Sequence, residues 1–147
     1  MEPKRSNQWE NFRNKYIALT GKCDACGKKL GEVQLEAHHI IPFEFCINLG
    51  RPELELDERN LICLCEHTEA QPAGDHHLLL GHLGYYGSFN LNVKADALAW
   101  YGQTSEEIKA DSVWNVRKLQ RPLSWKETDE RNKQYIKDAM DRMYPKN

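Results

Sequence analysis

The sequence predicts an α+β fold: a small Cys/His-rich core with two short strands, one helix before it and a helical extension after it. Three observations predict this. All 5 cysteines and all 6 histidines of the 147 residues fall between residues 23 and 82. Inside that window, "EVQLEAHHII" and "LICLC" read as strands. On either side, apolar residues recur at helical spacing.

In chain order, "NQWENFRNKYIALT" (7–20) sets Trp9, Phe12, Tyr16 and Leu19 at helical spacing, and Gly21 supplies a stop. "GKCDACGKKLG" follows, a Cys-x-x-Cys with glycine after the second cysteine. In "EVQLEAHHII" the residues Val33, Leu35 and Ala37 share one face. Pro42 and "NLGRPELELDERN" read as a loop before "LICLC". After the loop "TEAQPAG", the stretch "DHHLLLGHLG" opens a short helix or a turn. Beyond residue 90, "NVKADALAWYGQ", "SEEIKADSVWNVRKLQ" and "SWKETDERNKQYIKDAMDRMY" read as helices with Asn92, Ser105 and Ser124 as N-caps. The division is therefore 1–20 helix, 21–90 core and 91–147 helical extension.

Charge is a weak guide. The net charge is −2. Residues 1–89 carry 9 Lys and Arg against 13 Asp and Glu, and residues 90–147 carry 11 against 9. A nucleic-acid partner would need positive charge from a bound metal, a local patch or another subunit of a homo-oligomer. No run approaches the ~18 apolar residues of a membrane span, and "MEPKRSNQWE" has no apolar stretch of a secretory signal. The expectation is a soluble, intracellular (cytoplasmic) protein with no membrane partner.

An odd number of cysteines without a secretory signal argues against a disulfide framework. Cys23 and Cys26 put two thiolates on one tight turn, close enough for one tetrahedral Zn²⁺. A redox dithiol has the same spacing but belongs at a strand-to-helix junction; here glycine, two lysines and a strand follow. Cys63 and Cys65 lie on one face of the second strand, and Cys65, at its exit, is freer to close a site. For the fourth ligand, His76, His67, Cys46 and Cys63 all remain open.

The order Cys-x-x-Cys, "EAHHIIPF" (36–43), "RNLICLC" (59–65) and "DHHLLLGHLG" (75–84) resembles the HNH endonuclease family, the ββα-metal nucleases. The resemblance spans about residues 21–90. It implies a ββα-metal core with a zinc knuckle and metal-dependent hydrolysis of DNA, the double-stranded form being the expected substrate. By the same resemblance, His38 and His77 are ligands of the catalytic metal, His39 is the general base, and Asn60 braces the loop that orients it. The structural zinc set becomes Cys23, Cys26, Cys65 and His76, although many members have Cys-His where this chain has His76-His77. His82, five residues after His77 and off one helical face, is an extra ligand or a group bonded to a ligand.

The chemistry is consistent with that implication. Hydrolysis of a phosphodiester needs a water deprotonated, phosphate charge neutralised and a leaving oxygen stabilised. Imidazole ligands suit Zn²⁺ and Ni²⁺, whereas Mg²⁺ and Mn²⁺ prefer oxygen, so the catalytic divalent metal is left among these four. Two other readings use the same residues: a zinc-dependent nucleic-acid or protein-binding module with an unused nuclease site, and a ribonuclease or toxin-like effector. His67 reads as a solvated loop residue, Cys46 as a small buried hydrophobe, and the Trp and Tyr residues after 90 as core. Arg117, Lys118 and Arg121 form a basic cluster that suits a solvated helix face and is also the best phosphate track in the sequence.

Overall fold

The computed structural model describes residues 3–146, and residues 1, 2 and 147 lie outside the described residues. It is a mixture of helices and one small sheet, as an α+β chain requires. Helix α1 (Trp9–Thr20) ends where Gly21 turns left-handed (φ 67°) and returns its N–H to Ile17. Strands β1 (Gln34–His39) and β2 (Leu61–Glu66) pair antiparallel, with His38 opposite Ile62 and His39 opposite Leu61. Between them the chain is not the loop that its Pro, Gly and charged residues suggest. It forms helix α2 (Phe43–Asn48) and two 3₁₀ turns, Pro52–Leu56 and Glu58–Asn60. Each is too short for a helical period to show, and each is held from inside by buried Phe45, Cys46, Leu54 or Asn60.

The C-terminal part contains α3 (Val93–Ala99), α4 (Ser105–Ala110), α5 (Ser112–Leu119) and α6 (Glu130–Met143). The single helix expected after Ser105 is two helices, because Asp111 is extended (φ −78°, ψ 127°) and caps α5 with its carboxylate. The cap of α4 is Thr104 rather than Ser105, in a reciprocal capping box with Glu107. Likewise Asp129, not Ser124, caps α6. In both cases the true cap is the residue whose oxygen reaches the second or third helical N–H.

Two apolar cores organise the chain. One gathers Cys23, Val33, Leu35, Ile40, Leu64 and Leu79 with Val93, Trp100, Ile108 and Trp114 from the extension. The other joins Ile41, Phe45, Cys46, Leu54 and Phe89 to Ile136, Met140 and Tyr144. Residues 91–147 thus complete both cores. Ile40 enters the first core and Ile41 the second, so the backbone just beyond the two histidines is pinned from both sides. Buried Arg51 ties the second core together, donating to Glu53 (2.8 Å), Asp141 (2.9 Å) and the Tyr144 carbonyl (2.6 Å). Leu19, expected on the apolar face of α1, is instead 82% exposed. No helix among the described residues is long and apolar enough to cross a membrane.

Candidate functional site

The cysteine turn and the exit of β2 meet beside the start of the "HHLLLG" segment. Ligand atoms of Cys23, Cys26, Cys65 and His76 all lie within 4.8 Å of one another. A tetrahedral Zn²⁺ at ordinary bond lengths would separate its sulfurs by about 3.8 Å and sulfur from nitrogen by about 3.5 Å. Here Cys26 Sγ and Cys65 Sγ are 4.0 Å apart, and Cys65 Sγ lies 3.2 Å from His76 Nδ1. The fit is close.

The surroundings are arranged for thiolates. The N–H of Ala25 donates to Cys23 Sγ (3.3 Å) and that of His76 to Cys65 Sγ (3.4 Å). Hydrogen bonds from Cys23 and Cys65 hold the Cys26 thiol far below its ordinary pKa, at the expense of Cys23, which is pushed up. Burial opposes a charge on His76, but hydrogen bonds with Cys26 and Cys65 outweigh it and push the imidazole up to about 10. His76 Nε2–H donates to the Gln103 carbonyl (3.1 Å), so Nδ1 is the nitrogen turned to the sulfurs, and a metal bound there would take the place of the Nδ1 proton that the thiolates otherwise hold. Gly74 is essential to the approach: a Cβ there would stand 2.9 Å from both Cβ and Sγ of Cys65. This cluster can hold a metal such as zinc. The competing candidates fall away. Cys46 and Cys63 are buried thiols pushed up to about 12, chiefly by burial, and His67 is exposed, bonded to the Pro72 carbonyl.

A second cluster forms from His38, His77 and His82, whose ligand nitrogens also lie within 4.8 Å of one another. His82 joins it because His77–Gly81 is a π turn, closed by the His82 N–H on the His77 carbonyl (3.2 Å). On an α-helix, residues five apart would diverge by about 140°; the wider turn brings them to one side. His77 Nδ1–H donates to Glu66 (2.9 Å) and His82 Nδ1–H to the Ser88 carbonyl (2.7 Å). Both Nε2 lone pairs therefore face inward, only 3.1 Å apart, and His38 Nδ1 is 3.1 Å from His77 Nε2. Two facing lone pairs repel unless a cation lies between them. Burial, helped by the neighbouring imidazoles, keeps His38 well below the usual range and holds His82 down to about 4, so both are in the neutral, metal-binding form. Gly81 lets His38 in: a Cβ on it would sit 3.1–3.2 Å from the ring.

Glu66 is a residue the sequence reading did not single out. It also accepts from the Tyr86 hydroxyl (3.0 Å), so its carboxylate is held while it aims His77. Its place at the end of β2, one residue beyond Cys65, was the available signal. Removing it should free the ring. Glu66→Ala is expected to weaken divalent-metal affinity at the three histidines roughly 10–100-fold, measured by titration calorimetry, with the zinc of the cysteine cluster retained.

His39 lies on the opposite side of β1 from His38, yet both line one cleft of about 320 Å³ because the strand ends there. His39 Nε2–H donates to the Glu55 carbonyl (2.9 Å), and its Nδ1 accepts from Arg5 Nη1 (2.9 Å). Trp9 stacks on the ring at 4.5 Å. Burial holds this imidazole down to about 4; the Glu55 carbonyl pulls the other way, and Arg5 adds to the lowering. Asn60 is fully buried and grips Ile41 twice, accepting from its N–H (2.9 Å) and donating to its carbonyl (3.1 Å). It also donates to the Leu54 carbonyl (3.4 Å), next to Glu55. Asn60 thus braces the loop that carries the partner of His39. Asn60→Ala strands buried backbone groups and should cost about 2–4 kcal/mol of stability, read as a lowered denaturation midpoint.

The basic cluster at the end of α5 and just beyond it is largely absorbed by the fold. Arg117 pairs with buried Asp96 (3.0 Å), Arg121 donates to the Leu83 carbonyl (2.9 Å), and Lys118 lies over Trp114. Trp100, Trp114 and Tyr144 are core residues as expected, whereas Tyr101 and Tyr135 are more than half exposed. No family model, curated protein or solved structure matches this chain.

Proposed function

We propose that the chain is a metal-dependent endonuclease of the HNH type, hydrolysing phosphodiester bonds in DNA, with a zinc knuckle that holds the site together. The observation that carries the reading is the convergence of three inward-facing imidazole nitrogens beside a fourth histidine whose tautomer leaves Nδ1 as an acceptor. A divalent cation on His38, His77 and His82 would neutralise phosphate charge and stabilise the leaving oxygen. His39, held by the Glu55 carbonyl, takes the proton of the attacking water at Nδ1. Asn60 positions that carbonyl through Leu54 and Ile41. Arg5 and Arg13 line the same cleft, Arg13 paired with Glu36 at 3.6 Å. An all-imidazole ligand set favours Ni²⁺ or Zn²⁺ over Mg²⁺.

The test is a substrate panel: supercoiled plasmid, single-stranded DNA and RNA, each with Mg²⁺, Mn²⁺, Ni²⁺, Zn²⁺ or EDTA. Cleavage of plasmid with one or more of these cations and none in EDTA is the expected result. Cleavage of RNA alone would move the site to the ribonuclease reading. Inertness towards all three, in protein carrying its full zinc content, would leave a zinc-dependent binding module.

A further inference from the structure

We propose that Arg5 gates the base. In the resting site its guanidinium occupies the Nδ1 lone pair of His39, and a bound phosphate oxygen draws it away, opening Nδ1 to water. This rests on the assignment of His39 as the general base.

The geometry is specific. A neutral imidazole has one acceptor nitrogen, and His39 Nε2–H is committed to the Glu55 carbonyl, so Nδ1 is the remaining lone pair. Arg5 Nη1 sits on it at 2.9 Å. One lone pair cannot accept from a guanidinium and deprotonate a water at once. The arrangement therefore blocks catalysis until Arg5 moves.

Arg5 is also built to move. Its guanidinium rests over the rings of Trp9 (4.7 Å) and Phe43 (4.6 Å), flat faces across which it can slide without losing contact. The backbone beside it is anchored, because the Ser6 N–H donates to the buried Glu55 carboxylate (3.0 Å), so the motion is confined to the side chain. The competing partner is stronger: a guanidinium binds a phosphate through paired, charge-assisted hydrogen bonds, against a single bond to a neutral ring. The cleft that Arg5 enters is the one lined by His38, His77 and His82, where a phosphodiester would lie. Substrate binding and release of the base are then one event.

Carbethoxylation of His39 by diethyl pyrocarbonate tests this without requiring cleavage. The full chain is loaded with Zn²⁺ and its peptides are read by fragmentation mass spectrometry, with exposed His67 as internal reference. Arg5→Met keeps the apolar stem over Trp9 and Phe43 but removes the donor. In wild type, His39 is expected to react at least tenfold more slowly than in Arg5→Met; inorganic phosphate should speed the wild type and leave Arg5→Met unchanged, with chloride at matched ionic strength as the control. Equal rates in the two proteins, or a wild type indifferent to phosphate, would overturn the gate. If the reactivity pattern holds but no nucleic acid is cleaved, Arg5 still caps His39 and yields to phosphate while the nuclease reading fails; cleavage with a flat pattern has the reverse meaning.

Discussion

His39→Ala should lower the rate of phosphodiester cleavage by a factor of about 10²–10⁴, the range that a general base contributes, with helix content and zinc content unchanged. The separation follows from the two sides of β1. His39 faces Trp9 and Glu55, whereas the residues that could hold metal lie on the side of His38, His77 and the cysteine turn. The ring is buried, so its loss leaves a small void; His39→Gln, which fills more of that space and offers no comparable base, should be equally slow. Single-turnover cleavage, circular dichroism and zinc analysis of both variants check it. Wild-type cleavage by either would remove His39 from the mechanism.

Cys23→Ser should have the largest effect on stability. Its sulfur is fully buried within the same core as Val33, Leu35, Leu64 and Trp100. With zinc bound by Cys23, Cys26, Cys65 and His76 as proposed, loss of one ligand would remove much of the folding free energy that zinc supplies, for which intact sites give about 10–16 kcal/mol in small domains. The expected result is less than one zinc per chain and a thermal midpoint lowered by many degrees. Because Gln103 carries the carbonyl that orients His76, the helical extension should loosen along with the knuckle. Unchanged zinc content would refute the structural role of Cys23.

How far the sequence could be read depended on how local each feature is. Cys23 and Cys26 are separated by two residues, and the turn that joins them has few conformations, so their pairing was legible. The order of "EAHHIIPF", "RNLICLC" and "DHHLLLGHLG" marked His38, His39, Asn60 and His77, and the structure brings all four around the end of β1. His76 was one of four open choices from the residues alone. What selects it is a close approach at Gly74 to Cys65, a three-dimensional constraint with no periodic trace. His82 was left unassigned because α-helical periodicity puts it off the face of His77; only the π turn aligns them, and a single turn has no sequence signature that spacing reveals. Arg5 was invisible for a related reason. Trp9 is four residues away, but Phe43 and His39 reach Arg5 only through the packing of the N-terminal segment on β1 and α2, contacts too distant along the chain for local pattern to encode.

The most direct measurement compares wild type with the His38→Ala/His77→Ala double variant on supercoiled plasmid, supplied with Ni²⁺ or Mn²⁺ and matched for zinc in the cysteine cluster. Wild type should nick and then linearise the plasmid, and EDTA should stop it. The double variant should be inert while keeping one zinc per chain. Cleavage by the double variant at the wild-type rate, or cleavage that persists in EDTA, would contradict a metal-dependent nuclease built on these histidines.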